Sequence, residues 1–159
     1  MHDAYAAGLF DGEGMIRMTS HIHRDKVTRI YQIQCVLGVV HRPVIEALKE
    51  EYGGSIHENR HDLRSPRNRI VFQWAIASQK AASFMRRIQP YVVIKRDQLE
   101  LALEFQSHID EWRGKLGNRA GFHPDRDKVF AWRADVARRL TEMKKVSFPS
   151  LVDRGTGAQ

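Results

Sequence analysis

Helix-period and strand-period apolar patterns follow one another in a single order, twice over: a helix, two strands, a helix, two strands, and then a third helix. Two helix-and-hairpin units bury their apolar faces together by joining their strands into one antiparallel sheet with helices layered on one side. The expected fold class is therefore α+β, in the order αββαββα with helical additions after it. Residues 3–11 (DAYAAGLFD) read as a short Ala-rich helix ended by Gly12 and Gly14. Residues 15–23 and 27–40 make the first hairpin around HRDK, with Ile33, Cys35, Leu37 and Val39 alternating against Gln32 and Gln34. Pro43 suits a first helical turn, and that helix runs to Gly53–Gly54 with Val44, Ala47, Leu48 and Tyr52 on one face. Residues 55–60 and 68–77 form the second hairpin, with Phe72, Trp74 and Ile76 opposed to Val71, Gln73 and Ala75. Residues 78–88 make the third helix, with Ser78 as its N-cap. Further helices are expected over 95–113 and 125–145, with a glycine-punctuated linker between them. This divides the chain into a core of 1–113, a linker and C-terminal helix packed on it over 114–146, and a flexible tail of 147–159.

At 159 residues the chain fits one compact domain. It has no apolar run of the roughly 18 residues that a membrane span needs, and its first residues, MHDAYAAGLFDGEG, lack the order of a signal peptide. A soluble protein of the cytoplasm or of an organellar matrix is expected, with no membrane partner. The single cysteine, Cys35, excludes an intrachain disulfide and a Cys-rich zinc site, which leaves oxygen and imidazole as metal ligands. A net charge of +7 points to a polyanionic partner rather than a small-molecule substrate.

The placement of that charge is more informative. With helices on one side, the other sheet face is open, and strand alternation assigns it Arg17, Thr19, His21, His23, Gln32, Gln34, His57, Asn59 and Gln73. Arg24, Lys26, Arg29, Arg60, Arg64, Arg67 and Arg69 cluster in and beside the two hairpin turns. A merely solvated face would mix Thr, Ser, Lys and Glu. Arg, Gln, Asn and His instead match guanine and adenine edges in the major groove of duplex DNA. The His21–His23 pair has no third or fourth ligand at metal spacing, so DNA contact is the better reading of both. The C-terminal helix, with Arg126, Lys128, Arg133, Arg138, Arg139, Lys144 and Lys145, is either a solvated ion-paired face or a source of phosphate contacts. Trp112 and Trp132 read as core anchors.

In the first helix Ala4, Gly8 and Gly12 recur every four residues, leaving one face bare enough for a second helix to approach closely. Tyr5 and Leu9 are then expected to face the chain's own core. Packing within one chain is the alternative, but only one such segment occurs, so the partner copy is expected from a second subunit in a twofold homodimer. Glu13 would lie just past the end of that helix, near the symmetry axis. There free carbonyls and the negative dipole end favour a cation, and a carboxylate completes the hard-oxygen environment that Mg²⁺ prefers. Asp11 reads as a structural turn or cap acid at the same interface.

The segment Ala6-Ala7-Gly8-Leu9-Phe10-Asp11-Gly12-Glu13-Gly14 resembles the signature of the LAGLIDADG homing endonucleases, with alanine in place of the usual first leucine and Glu13 in place of an aspartate. Gly53-Gly54-Ser55-Ile56, Phe72-Gln73-Trp74 and Ile88-Gln89-Pro90-Tyr91-Val92-Val93-Ile94-Lys95-Arg96-Asp97-Gln98 are similar to later blocks of that family in the same order, covering about residues 3–106. The resemblance implies a saddle-shaped antiparallel sheet. It implies a homodimeric enzyme that cuts both strands of a long near-palindromic DNA duplex. It places the metal-binding acid at Glu13 with the Gly12 carbonyl beside it, and an active-site lysine at Lys95. It aligns His41 with a water-positioning polar residue, although capping the helix that begins near Pro43 is an equal reading. Mg²⁺ is the implied cofactor, with Mn²⁺ as a substitute and Ca²⁺ supporting binding without cleavage. The family also contains non-cleaving DNA-binding regulators and RNA-splicing maturases, but Glu13 and Lys95 together favour the enzyme.

Overall fold

A computed structural model describes residues 1–22, 29–59, 69–118 and 121–146. Helix α1 spans Asp3–Glu13, followed by strands β1 (Gly14–Ile22) and β2 (Arg29–Val39) and helix α2 (Arg42–Tyr52). Strands β3 (Ser55–Asn59) and β4 (Val71–Ala77) and helix α3 (Ser78–Ile88) complete the αββαββα order. A single 3₁₀ turn (Gln89–Tyr91) leads into α4 (Arg96–Glu111), a minimal hairpin of β5 (Gly117–Asn118) and β6 (Gly121–Phe122), and α5 (Arg126–Val146). The four long strands form one antiparallel sheet in the order β1-β2-β4-β3, so the two hairpins join through β2 and β4. No described helix is long and apolar enough to cross a membrane.

Aromatic packing under the sheet ties the helices to it. Phe84 of α3 meets Phe10 of α1, Tyr52 of α2 and Trp74 of β4 edge to face, at centroid separations of 5.3, 4.9 and 5.0 Å. The Trp74 indole N–H donates to the Gly53 carbonyl at 2.7 Å. Gly54 sits at φ +93, and a Cβ there would stand 2.6 Å from the Ala75 carbonyl oxygen, so the turn after α2 requires glycine on both counts. Ile45 and Leu48 are the fully buried residues of α2, whereas Val44, Ala47 and Tyr52 are half-buried, so its core stripe is rotated by one position from the expected one.

Two details of α1 differ from expectation. The helix continues through Gly12 and ends at Gly14, where a Cβ would lie 2.2 Å from the Phe10 ring; close packing, rather than a left-handed turn, stops it there. Glu13 is accordingly its last residue and not a residue beyond it. Tyr5 does not enter the core: it is 56% exposed, and Ala6, Ala7 and Phe10 form the buried stripe. Those three lie on the side of the helix opposite the Gly8–Gly12 edge, and Tyr5 falls beside that edge. Ser78 is likewise not an N-cap. Ala77 holds that position, Ser78 adopts φ 53, and its hydroxyl accepts from the Gln32 amide at 2.6 Å.

Helix α5 packs against α4 and reaches β1 and β2. Val136 and Leu140 join the main core, and Trp132 stacks between Phe105 and His108, at 6.2 and 4.0 Å between centroids. Trp112 packs edge-on against His123. Arg133, only 7% exposed, lies in this layer with its Nε unpaired, as is His108 Nδ1. Burial, and then the charge of Arg133, holds His108 below the usual imidazole range.

Candidate nucleic-acid interface and metal-binding centre

The C-terminal end of α1 is organised by Asp11. Its carboxylate accepts the backbone N–H groups of Val93, Ile94 and Lys95 at 2.7, 3.2 and 3.0 Å. One side chain thus fastens the segment entering α4 alongside α1, which accounts for an acid inside a helix whose neighbours are small. Lys95 Nζ in turn donates to the Asp11 main-chain carbonyl. That carbonyl is one that the helix end leaves without an internal partner, and α1 has no basic residue of its own in its last turn. Burial pushes the Lys95 ammonium below the usual lysine range, and the charges of Asp11 and Glu13 oppose that shift.

Glu13 is exposed and carries no hydrogen bond or ion pair among the described residues. Among the described residues Lys95 is the one cation whose charge is felt by Glu13, and at the negative end of a helix a carboxylate favours a further cation beside it. The donors there, a carboxylate and the last carbonyls of α1 at Gly12, are hard oxygens of the kind that hold Mg²⁺ or Ca²⁺. Among the described residues no three His, Cys, Asp or Glu gather to hold a metal within one chain. Glu13 and the Gly12 carbonyl are thus two oxygen donors of the right kind, fewer than such an ion takes. His41 occupies the N-cap position of α2, exposed and without a side-chain cap bond. No hydrogen bond joins it to Glu13 or Lys95.

The face of α1 bearing Gly8 and Gly12 is open: a Cβ at either position would meet nothing within 4 Å. Around it lie exposed apolar groups that sequence reasoning placed in the core or left unassigned. Tyr5 flanks the glycines on α1, and Val93 and Ile94, 76% and 72% exposed, sit on the loop that Asp11 holds against the helix. Ala4 is half-buried at the start of the same face.

Strand register places the polar residues on one side of the sheet, as alternation required. Arg17 opposes Gln34, Thr19 opposes Gln32, and His57 opposes Gln73, all sharing the parity opposite to buried Ile16, Ile33, Cys35 and Trp74. The backbone of Asn59, paired with Val71, continues this row. Arg17 Nε donates to Gln34 Oε1 at 2.7 Å. Arg29, expected beside the first hairpin turn, opens β2 there, pairs with Ile22 on the helix-side parity, and donates from its guanidinium to Ser20 Oγ at 2.9 Å. Arg69 is exposed just before β4. His23, Arg24, Lys26, Arg60, Arg64 and Arg67 lie outside the described residues. One group that sequence reasoning did not connect to this face is Lys144 of α5, held below the usual lysine range by burial and then by the nearby charge of Arg17. Only the packing of α5 on β1 and β2 brings those two cations together.

No protein-family profile matches the chain, and no curated protein matches it in sequence. Solved structures do match. The homing endonuclease I-CvuI in complex with the I-CreI target superposes with a TM-score of 0.68 at 14% identity, covering 98% of this chain and 85% of that one. The archaeal intron-encoded homing endonuclease I-Vdi141I, complexed with DNA, gives 0.67 at 18% identity, with 89% and 82% covered. The LAGLIDADG homing endonuclease I-GzeII in complex with a DNA target gives 0.65 at 14% identity; 99% of this chain is covered, which spans 52% of that one. With one small-residue helix, one paired-hairpin sheet and these structural relatives, the chain has the fold of the LAGLIDADG homing endonucleases.

Proposed function

We propose that this chain is a homodimeric, site-specific DNA endonuclease that hydrolyses phosphodiester bonds in both strands of a long, near-palindromic duplex with a divalent metal ion. The observation that carries the reading is Glu13: an exposed carboxylate with no hydrogen bond or ion pair among the described residues, at the negative end of α1 beside an open glycine face that suits a second copy of the same helix. Two copies bring two carboxylates to one axis. The structural relatives include I-CvuI with a DNA target left uncleaved in 2 mM magnesium and with its own target in 2 mM calcium, which is consistent with divalent-metal use.

The roles follow from position. Glu13 and the Gly12 carbonyl would hold Mg²⁺, with Mn²⁺ as a substitute and Ca²⁺ supporting binding alone. When bound, such an ion lowers the pKa of water and offsets charge on the leaving oxygen. Lys95, anchored on the Asp11 carbonyl, holds a positive charge beside the scissile phosphate, where negative charge grows in the transition state. Asp11 is a positioning residue acting through the Lys95 segment. His41 is left the role of orienting water from the start of α2. Arg17, Thr19, His21, Gln32, Gln34, His57, Asn59 and Gln73 face the major groove, with the hairpin-turn cations on phosphates. The catalytic core is 1–113, and 114–146 is an addition that supports β1 and β2.

The test incubates wild type and Glu13→Gln with a plasmid library of candidate duplex sites in Mg²⁺, followed by sequencing of the ends. Defined double-strand breaks at a near-palindrome, lost in the variant, are the expected result. Equal retention of DNA by both proteins with no breaks would overturn the nuclease and leave a DNA-binding module.

A further inference from the structure

A glutamine side chain alone presents one donor and one acceptor, the complement of adenine's N7 and N6–H₂. Gln34 is not alone. Arginine has donors only, so the Gln34 atom receiving Arg17 Nε at 2.7 Å must be its carbonyl oxygen, and the amide acceptor is thereby committed. The groups left over on this pair are Arg17 Nη1 and Nη2, without partners among the described residues, and the Gln34 NH₂. All of them donate. Guanine offers two acceptors in the major groove, O6 and N7; adenine and cytosine each turn an amino group toward any donor set placed there, and thymine offers a single acceptor with a methyl beside it.

The pair sits directly cross-strand at the middle of the β1–β2 ladder, so its placement is fixed by register rather than by a loop. Holding Nε restrains a long side chain in advance and leaves the two Nη groups to donate elsewhere, which lowers the entropy lost on contact. No described acid forms an ion pair with Arg17.

We infer that Arg17 and Gln34 act as one guanine-reading unit, Gln34 orienting the arginine fork instead of reading adenine on its own. In a twofold dimer the unit reads guanine at one symmetric pair of positions. This rests on the DNA-binding function proposed above and assigns its specificity.

The experiment selects binding sites from randomised duplex DNA in Ca²⁺ with wild type, Arg17→Ala, Gln34→Leu and Gln34→Glu, each checked for an unchanged circular-dichroism spectrum. Wild type is expected to enrich guanine at one symmetric pair of positions. Arg17→Ala should lose that preference by about 5- to 150-fold. Gln34→Leu should weaken preference at the same position, and Gln34→Glu should keep it, because a carboxylate still accepts from Nε. Loss of an adenine preference in the Gln34 variants, at a position that Arg17→Ala leaves unmoved, overturns the inference while leaving the DNA-binding function intact. A wild type that enriches no duplex overturns both.

Discussion

Gly8 offers a substitution whose effect changes sign with oligomeric state. It lies in the middle of α1, exposed, outside the left-handed backbone region, with nothing within 4 Å of an added Cβ. In a lone chain Gly8→Ala therefore gains helix propensity without a clash, about 0.8–1.0 kcal/mol. For a chain of this length that raises the melting temperature by about 2–4 °C. In the proposed dimer the same face lies against its symmetry mate, and a methyl on each helix enters a close crossing. Overpacking of that kind costs about 1–3 kcal/mol, a dimer weaker by about 5- to 150-fold. Thermal melts on dilute protein and sedimentation velocity across a concentration series measure the two effects separately. The expected variant is more stable when dilute and dissociates at higher concentration than wild type. A variant that gains stability yet dimerises as wild type does would refute the placement of the interface on α1, and a wild type that stays monomeric with and without DNA would refute the dimer.

Glu13→Gln removes a negative charge from the negative end of α1 and also its attraction to Lys95, so without metal it should raise stability by at most about 0.3–1 kcal/mol. Mg²⁺ should then stabilise wild type alone, by about 1.4 kcal/mol at tenfold over its dissociation constant, which reverses the order of the two melts; absence of that reversal would count against Glu13 as a ligand. Arg133, buried with Nε unpaired, should be replaceable by methionine with a gain of about 1 kcal/mol in urea denaturation, since the ion has no described acid to offset its desolvation. A clear loss would contradict that account. Asp3 is held below the usual carboxylate range by the Tyr52 hydroxyl at 2.6 Å and then by Arg87, and Glu51 is lowered first by Arg87. Both folded-state values are depressed, so their contribution is complete above the ordinary carboxylate values of about 4 and is lost as pH falls through the lowered ones. Arg87→Met should flatten the acid limb of the stability curve, and an unchanged limb would show that the network does not set it.

Much of this molecule was legible because its signals are periodic. The two hairpins, the polar parity of Arg17, Gln32, Gln34, His57 and Gln73, and the span of α3 follow from alternation and helical spacing that burial then enforces. Where the reading missed, the deciding contact joins residues distant in sequence. Tyr5 was assigned to the core with Leu9 as lying off the small-residue face, yet Ala6, Ala7 and Phe10 form the buried stripe, with Phe10 against Phe84, and leave Tyr5 outside. Ser78 resembles a cap by type and position, but Gln32 claims its hydroxyl from 46 residues away.

Spacings within single elements were enough for the element order, the acid at the end of the first helix and the polar face. The tertiary structure alone decided how those parts become a site. It set Lys95 against the end of α1 through Asp11, brought Lys144 to Arg17, and bonded Arg17 to Gln34. Those are distances between elements, and no local pattern encodes them until the core has packed and closed the intervening chain into one geometry.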